Sequence, residues 1–199
     1  MPKFSVILAD PPWRFAPMGI DPSVVADRYK GRSAESHYDT MGSQELTSLP
    51  VASIAGNPSV LFLWTTSPFL SHAICTMSAW GFRYKTVAFA WIKQNKAGTD
   101  WASGMGWYTL SNVELCILGT KGATLKRQCR NVRQLVVAPR REHSRKPDEV
   151  RARIERMYGP VPKVELFARE RADGWTCLGN EVTGNDMAED IMALAEERR

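Results

Sequence analysis

The chain has 199 residues and a formal net charge of +5, with 44% hydrophobic and 24% charged residues. This is ordinary globular usage and argues against disorder; the length favours one domain over residues 1–183, followed by a helical tail at 184–199. No apolar run reaches the roughly 18 residues of a membrane span. The opening Met1-Pro2-Lys3-Phe4 leads straight into a strand-like run with no signal-peptide pattern. A cytoplasmic protein with no membrane partner is the resulting expectation.

Seven strand-like runs follow one another: Ser5–Ala9, Val60–Thr65, Val87–Lys93, Val113–Leu118, Leu135–Ala138, Val164–Ala168 and Thr176–Gly179. They are nearly continuous in apolar residues, the pattern of strands covered on both faces. Helix patterns lie between several of them, at Ser43–Leu49, Ser67–Trp80 and Pro147–Tyr158. In the last, Pro147 suits the first helical position and Asp148 and Glu149 the positive N-terminal end. Val150, Ile154 and Met157 share a face, and Gly159-Pro160 ends the helix. From Gly184 onward, Met187, Ile191 and Leu194 mark one face of a terminal helix. The pattern predicts an α/β fold, a doubly wound and mostly parallel sheet with helices on both faces. Arg14–Tyr38 and Gln94–Tyr108 read as long loops, where such folds bind ligands.

Cys75, Cys116, Cys129 and Cys177 form no Cys-x-x-Cys pair, and His37, His72 and His143 add no clustered ligand set. Reduced thiols and no metal site are expected. Between Lys121 and Arg156 stand 12 basic residues opposed by Glu142, Asp148, Glu149 and Glu155. Any single one reads as a solvated surface charge; as a cluster they read equally as a patch facing a polyanion.

The first strand ends in Asp10-Pro11-Pro12-Trp13. An exocyclic adenine amine is a poor nucleophile because its lone pair is delocalised into the ring. A carboxylate and a carbonyl that accept its N–H bonds favour the pyramidal, nucleophilic form, and an aromatic surface holds the base plane. Asp10 offers the carboxylate, Pro11 a rigidly placed carbonyl, Pro12 a backbone without a competing N–H, and Trp13 the platform. Alone, the segment reads equally as a proline-rich turn.

In this segment the sequence resembles the adenine-N6 methyltransferases with an Asp-Pro-Pro-Trp signature, among them the catalytic subunit of the messenger-RNA methyltransferase and bacterial and phage relatives. Ordered blocks extend the resemblance: His37-Tyr38-Asp39-Thr40-Met41, Leu61 to Thr66, Trp80-Gly81-Phe82 and Trp91 to Asn95. Further on come Glu114 to Gly119, His143 to Glu149, Val164 to Arg169, and Gly179-Asn180-Glu181. The resemblance implies a Rossmann-like methyltransferase in permuted motif order, with S-adenosyl-L-methionine as cofactor. It places Asp10 beside both substrate and cofactor, Lys146 on the cofactor's carboxylate, Arg169 and Asn180 on its sugar and nearby polar groups, and Glu181 near the ribose and adenine. The chain departs from the messenger-RNA enzyme at Ala172, where that enzyme has an Asn. Only nine residues precede Asp10, so an upstream segment that touches the cofactor in larger relatives is expected to be missing or replaced.

Nucleic acid is the expected partner, DNA favoured over RNA, on the basic cluster and the lack of an RNA-targeting module. Arg130, Arg133, Arg140 and Arg141 are candidate phosphate contacts, and Tyr29, Trp101 and Trp107 candidates for base stacking. An RNA adenine methyltransferase and a catalytically inactive nucleic-acid-binding partner of the same fold are the alternatives; Asp10 and Trp13 argue against the inactive one. Cytosine-N4 chemistry uses a leading Ser where this chain has Asp10. The oligomeric state is left between monomer and homodimer.

Overall fold

All seven apolar runs become strands of one sheet in the computed structural model, which describes residues 3–13, 40–104, 108–141 and 145–198. Strand β1 (Phe4–Ala9) comes first, and helix α1 (Ser43–Ser48) and the single turn α2 (Val51–Ile54) follow it. Strand β2 (Ala55–Thr66) is next, then a 3-10 turn (Ser67–Phe69), helix α3 (Leu70–Ala79), and strands β3 (Arg83–Gln94), β4 (Val113–Lys121) and β5 (Leu135–Pro139). Helix α4 (Asp148–Tyr158), strands β6 (Lys163–Leu166) and β7 (Thr176–Leu178), the turn α5 (Asn180–Thr183) and helix α6 (Met187–Glu197) complete the chain.

The strands lie in the order β5-β3-β4-β2-β1-β6-β7. Every neighbouring pair is parallel except those of β4, which runs antiparallel to both β2 and β3. The sheet is therefore mostly parallel, with its one reversed strand inside it. β1 is parallel to β2 with Val6 opposite Val60 and Ala9 opposite Leu63. It follows that β1, β2, β3, β5 and β6 all end at the same edge, where β4 begins.

The continuous apolar strands are explained by two cores. On one face Phe4, Ile7, Leu61 and Leu63 pack with Leu46, Ile54, Met77, Met187 and Ile191 from α1, α2, α3 and α6. On the other, Val6, Leu8, Phe62, Trp64 and Phe89 meet Val150, Ile154 and Tyr158 of α4. Burying each such side chain contributes about 1.5–3 kcal/mol. Leu194 of α6 is partly buried against the first core, as its spacing predicts.

Strands β2, β3 and β4 extend beyond their apolar runs, and four further boundaries differ from expectation. Pro147 is the N-cap of α4 (φ −63°, ψ 128°), so the helix begins at Asp148, and Tyr158 joins Val150 and Ile154 as the buried positions, with Met157 only partly buried. The Ser67–Trp80 helix opens with a 3-10 turn because Pro68 sits in its first turn. Strand β6 stops at Leu166 rather than Ala168, because Phe167 takes a left-handed conformation, φ 61°. Strand β7 ends at Leu178, one residue before Gly179, the N-cap of α5. Among the described residues no helix is long and apolar enough to cross a membrane.

Candidate active site

At the edge where the parallel strands end, Asp10 leaves β1 with its backbone N–H donating to the Leu166 carbonyl at 3.4 Å. The next residues turn tightly: Trp13 N–H donates to the Pro11 carbonyl at 2.9 Å, and Met41 N–H to the Pro12 carbonyl at 2.8 Å. Proline fits both positions because neither needs a backbone donor. A carbonyl oxygen carries two lone pairs, so Pro11 keeps acceptor capacity beyond the turn. The Trp13 indole Nε1 donates to the Trp64 carbonyl at 3.0 Å. Its ring lies 5.9 Å from that of Phe69 at 16°, and Phe69 in turn meets His72 edge-on at 5.8 Å. One bond and one stack thus fix the orientation of Trp13.

The Asp10 carboxylate begins a ladder of alternating charge. Lys146, just before α4, places Nζ 2.8 Å from Asp10 Oδ2 and 3.3 Å from Glu114 Oε2. Glu114, at the start of β4 and 8% exposed, also accepts from Lys93 at the end of β3. Two indoles lie under the cations, Trp64 at 5.7 Å from Lys146 Nζ and Trp91 at 5.1 Å from Lys93 Nζ. Burial pushes the Asp10 pKa up, and Lys146 only partly offsets that. Burial also pushes Glu114 up, but Lys146 and Lys93 outweigh it and hold this carboxyl below its usual value. For Lys146 burial is outweighed by Asp10 and Glu114, so its pKa is raised and the ammonium stays charged.

A cleft of about 610 Å3 opens beside the ladder, with Asp10, Trp64, Lys146, Phe167, Arg169 and Glu181 in its wall. Arg169 Nε stands 3.8 Å from Glu181 Oε1. Deeper in the wall Arg151 holds Glu165 with bonds of 2.9 and 3.2 Å. At the rim Arg141 pairs with Asp148 at 2.6 Å, and Arg145 bridges Asp148 at 3.4 Å and Glu170 at 2.5 Å. The exits of β6 and β7 approach closely here: a Cβ on Gly179 would fall 2.2 Å from the Ala168 carbonyl oxygen. Glycine is required for that contact, not for its torsion.

Asp10, Lys146, Arg169 and Glu181 therefore line one cleft, although 136 positions separate the first two. Asn180 stands exposed at the start of α5 and is not part of the cleft wall. Lys93, Glu114, Trp64 and Phe69 were not singled out from the sequence as site residues. Lys93 and Glu114 did carry a signal, a charge at the mouth of an apolar strand. Phe69 carried none, since its role depends on where Trp13 lands.

Of the candidate nucleic-acid contacts, Trp101 is 57% exposed, and Arg130, Arg133 and Arg140 are exposed without an ion pair among the described residues. Arg141 is committed to Asp148, at the rim of the cleft. Arg153 is structural: it pairs with Glu149 and donates to the carbonyls of Arg133 and Leu135 at 2.6 and 2.7 Å. Tyr29 and Trp107 lie outside the described residues.

Residues 4–181 match the MT-A70 family. The chain is 38% identical over 192 residues to the Type II methyltransferase M.MunI of Mycoplasma sp, covering 92% of this chain and 79% of that one. It is 31% identical over 185 residues to the N(6)-adenosine-methyltransferase MT-A70-like protein of Arabidopsis thaliana, with 91% and 24% covered. To the N(6)-adenosine-methyltransferase catalytic subunit METTL3 of Homo sapiens it is 27% identical over 200 residues, 98% of this chain and 31% of that protein.

Proposed function

The chain belongs to the MT-A70 family, and from that membership we propose that it transfers a methyl group to the exocyclic N6 amine of adenine in DNA. S-adenosyl-L-methionine is the methyl donor of these enzymes. The cleft suits it by its own chemistry. Its volume of about 610 Å3 falls in the usual range for small-molecule sites. Lys146 complements a carboxylate, Arg169 and Glu181 offer a donor and an acceptor to sugar hydroxyls, and Asp10 sets a negative charge beside a sulfonium. When bound, the donor supplies an electrophilic methyl group.

The residues of this chain do the rest. Asp10 and the Pro11 carbonyl accept the two N–H bonds of the amine and so draw its lone pair out of conjugation. Trp13, held by Trp64 and Phe69, fixes the plane of the base. Lys146 holds one carboxylate oxygen of Asp10 in place. Burial raises the Asp10 pKa, which makes this carboxylate a better acceptor for the amine's protons than a solvated one. The contact between Lys146 and Asp10 carries this reading, because it sets the amine's acceptor and a cation in one cleft wall.

DNA is supported by likeness along most of the length of a type II methyltransferase, against about a quarter to a third of the N(6)-adenosine enzymes. RNA is the second reading, and the names of those longer relatives favour it. Labelled methyl transfer to matched DNA and RNA oligonucleotides decides between them, with purine lacking the 6-amino group as control. Labelling of adenine in DNA is the expected result. Labelling of RNA alone would overturn the DNA assignment, and transfer to the control would overturn the amine chemistry.

A further inference from the structure

β3 runs parallel to β1, and β4 antiparallel to both β2 and β3, so residues 95–104 leave the sheet, and residues 108–112 re-enter it, at the edge that carries Asp10. Backbone bonds join these two described pieces of the connection to the sheet and to each other. Ala102 N–H donates to the Lys93 carbonyl and Lys93 N–H to the Asn112 carbonyl, both at 2.9 Å. Gly104 and Ser111 exchange bonds of 2.8 and 2.9 Å. Beside that closed pair stand three large apolar side chains in water: Tyr108 fully exposed, Leu110 at 66% and Trp101 at 57%. Side chains of this kind grouped on one connection mark an interaction surface.

Position and charge indicate the occupant. Leu110 precedes Glu114 by four residues, so even a fully extended chain leaves it within about 14 Å of that residue, and Glu114 is joined to Asp10 through Lys146. Arg140 is anchored beside the same connection, its backbone N–H donating to the Gln94 carbonyl at 2.9 Å, and its side chain is exposed. Lys96, also exposed, lies within the connection. Lys96 and Arg140 thus set two cations against the one carboxylate of Asp100 at the base of this connection, a balance that suits a polyanion whose bases can stack on the apolar side chains.

We propose that Leu110 and Tyr108 form a wedge that enters duplex DNA beside the target adenine and fills the stack that the base leaves. The proposal rests on the reading of the chain as a DNA adenine methyltransferase. Extracting a paired base costs a few kcal/mol, and an apolar side chain between base steps recovers part of the lost stacking. A single-stranded adenine has no such cost, so the wedge acts on duplex alone.

The test compares Leu110→Ala, Tyr108→Ala and the double variant on duplex and single-stranded DNA of one sequence, with 2-aminopurine at the target position as a fluorescent report of extrusion. The expected result is a loss of roughly tenfold or more in kcat/KM on duplex, with the single-strand rate and cofactor affinity within about twofold of wild type. Leu110→Met and Tyr108→Phe should retain duplex activity, and the 2-aminopurine signal should fall in the alanine variants. Equal losses on both substrates, or no loss on either, would overturn the wedge. So would a change in sedimentation of the free protein with an unchanged duplex preference, which would mark the surface as a contact between copies. Absence of methylation of any DNA by wild type would instead overturn the reading beneath it.

Discussion

Lys146 Nζ lies 2.8 Å from Asp10 Oδ2, tying the end of the first strand to the entry of helix α4. Under the proposed reaction, the contact joins the residue assigned to the amine to a cation in the same cleft wall. Asp10→Asn keeps the shape and removes the charge. Turnover should fall by roughly 10²–10⁴-fold, with cofactor affinity changed only a few-fold. Single-turnover methylation and calorimetric titration measure the two, and a rate within a few-fold of wild type would remove Asp10 from the chemistry.

Lys146→Met should weaken cofactor binding by roughly 10- to 100-fold, the size of a missing hydrogen bond to a charged group. It also leaves Asp10 and Glu114 facing each other without their shared cation. An unchanged dissociation constant would confine Lys146 to holding the two carboxylates.

Glu114 sets a stability prediction with a definite sign. Its folded pKa lies below the ordinary 4.5, so its contribution is fully present above that pH and is lost as pH falls through the lower folded value. Asp10 works in the opposite direction: its raised pKa makes ionisation a cost to the fold, relieved in acid. Glu114→Gln leaves Lys93 and Lys146 short of a buried partner, at a cost on the order of 3 kcal/mol near neutrality. The gap between the two melting curves should narrow as pH drops below about 4.5, and a gap that stays constant with pH would contradict the pairing.

Trp13→Phe removes the indole bond to the Trp64 carbonyl and keeps a ring, a change of about 1 kcal/mol. Phe69→Ala removes the stack and keeps that bond. Both should raise KM for nucleic acid more than they lower kcat, and Phe69→Tyr should restore the wild-type value. A pure kcat effect would mean that Trp13 does not place the base.

The basic cluster divides by partner. Arg140→Gln should reduce the slope of log K against log salt on duplex DNA by about 0.9 for each phosphate that its guanidinium neutralises. Arg153→Gln should lower the melting temperature without changing that slope, because its guanidinium is spent on Glu149 and two backbone carbonyls. Salt titrations of DNA binding separate the two.

The sheet was legible because strands buried on both faces carry uninterrupted apolar runs, and β2 shows this from Val60 to Trp64. The reversed direction of β4 was not, since its sequence is as apolar as those of β2 and β3 on either side and direction leaves no mark on composition. The end of β6 was missed for a related reason: Phe167 reads as a strand residue, and its residue type gives no sign of its left-handed backbone. Asp10 and Lys146 could be picked out one by one, yet their contact is a product of topology. Glu114 and Lys93 show the limit most clearly, because a charge near a strand end looks the same whether it faces water or a buried counter-ion.

Gly179 does no chemistry, yet its missing side chain lets β7 lie against the carbonyl of Ala168, one residue before Arg169. One added methyl group there would push the neighbouring strand exit outward and carry Arg169 with it. Activity is thus vulnerable at a position with no reactive atom, and a survey of inactivating substitutions should find Gly179 as intolerant as Asp10. The variants would differ in kind: one keeps the cofactor and loses turnover, whereas the other loses the cofactor first.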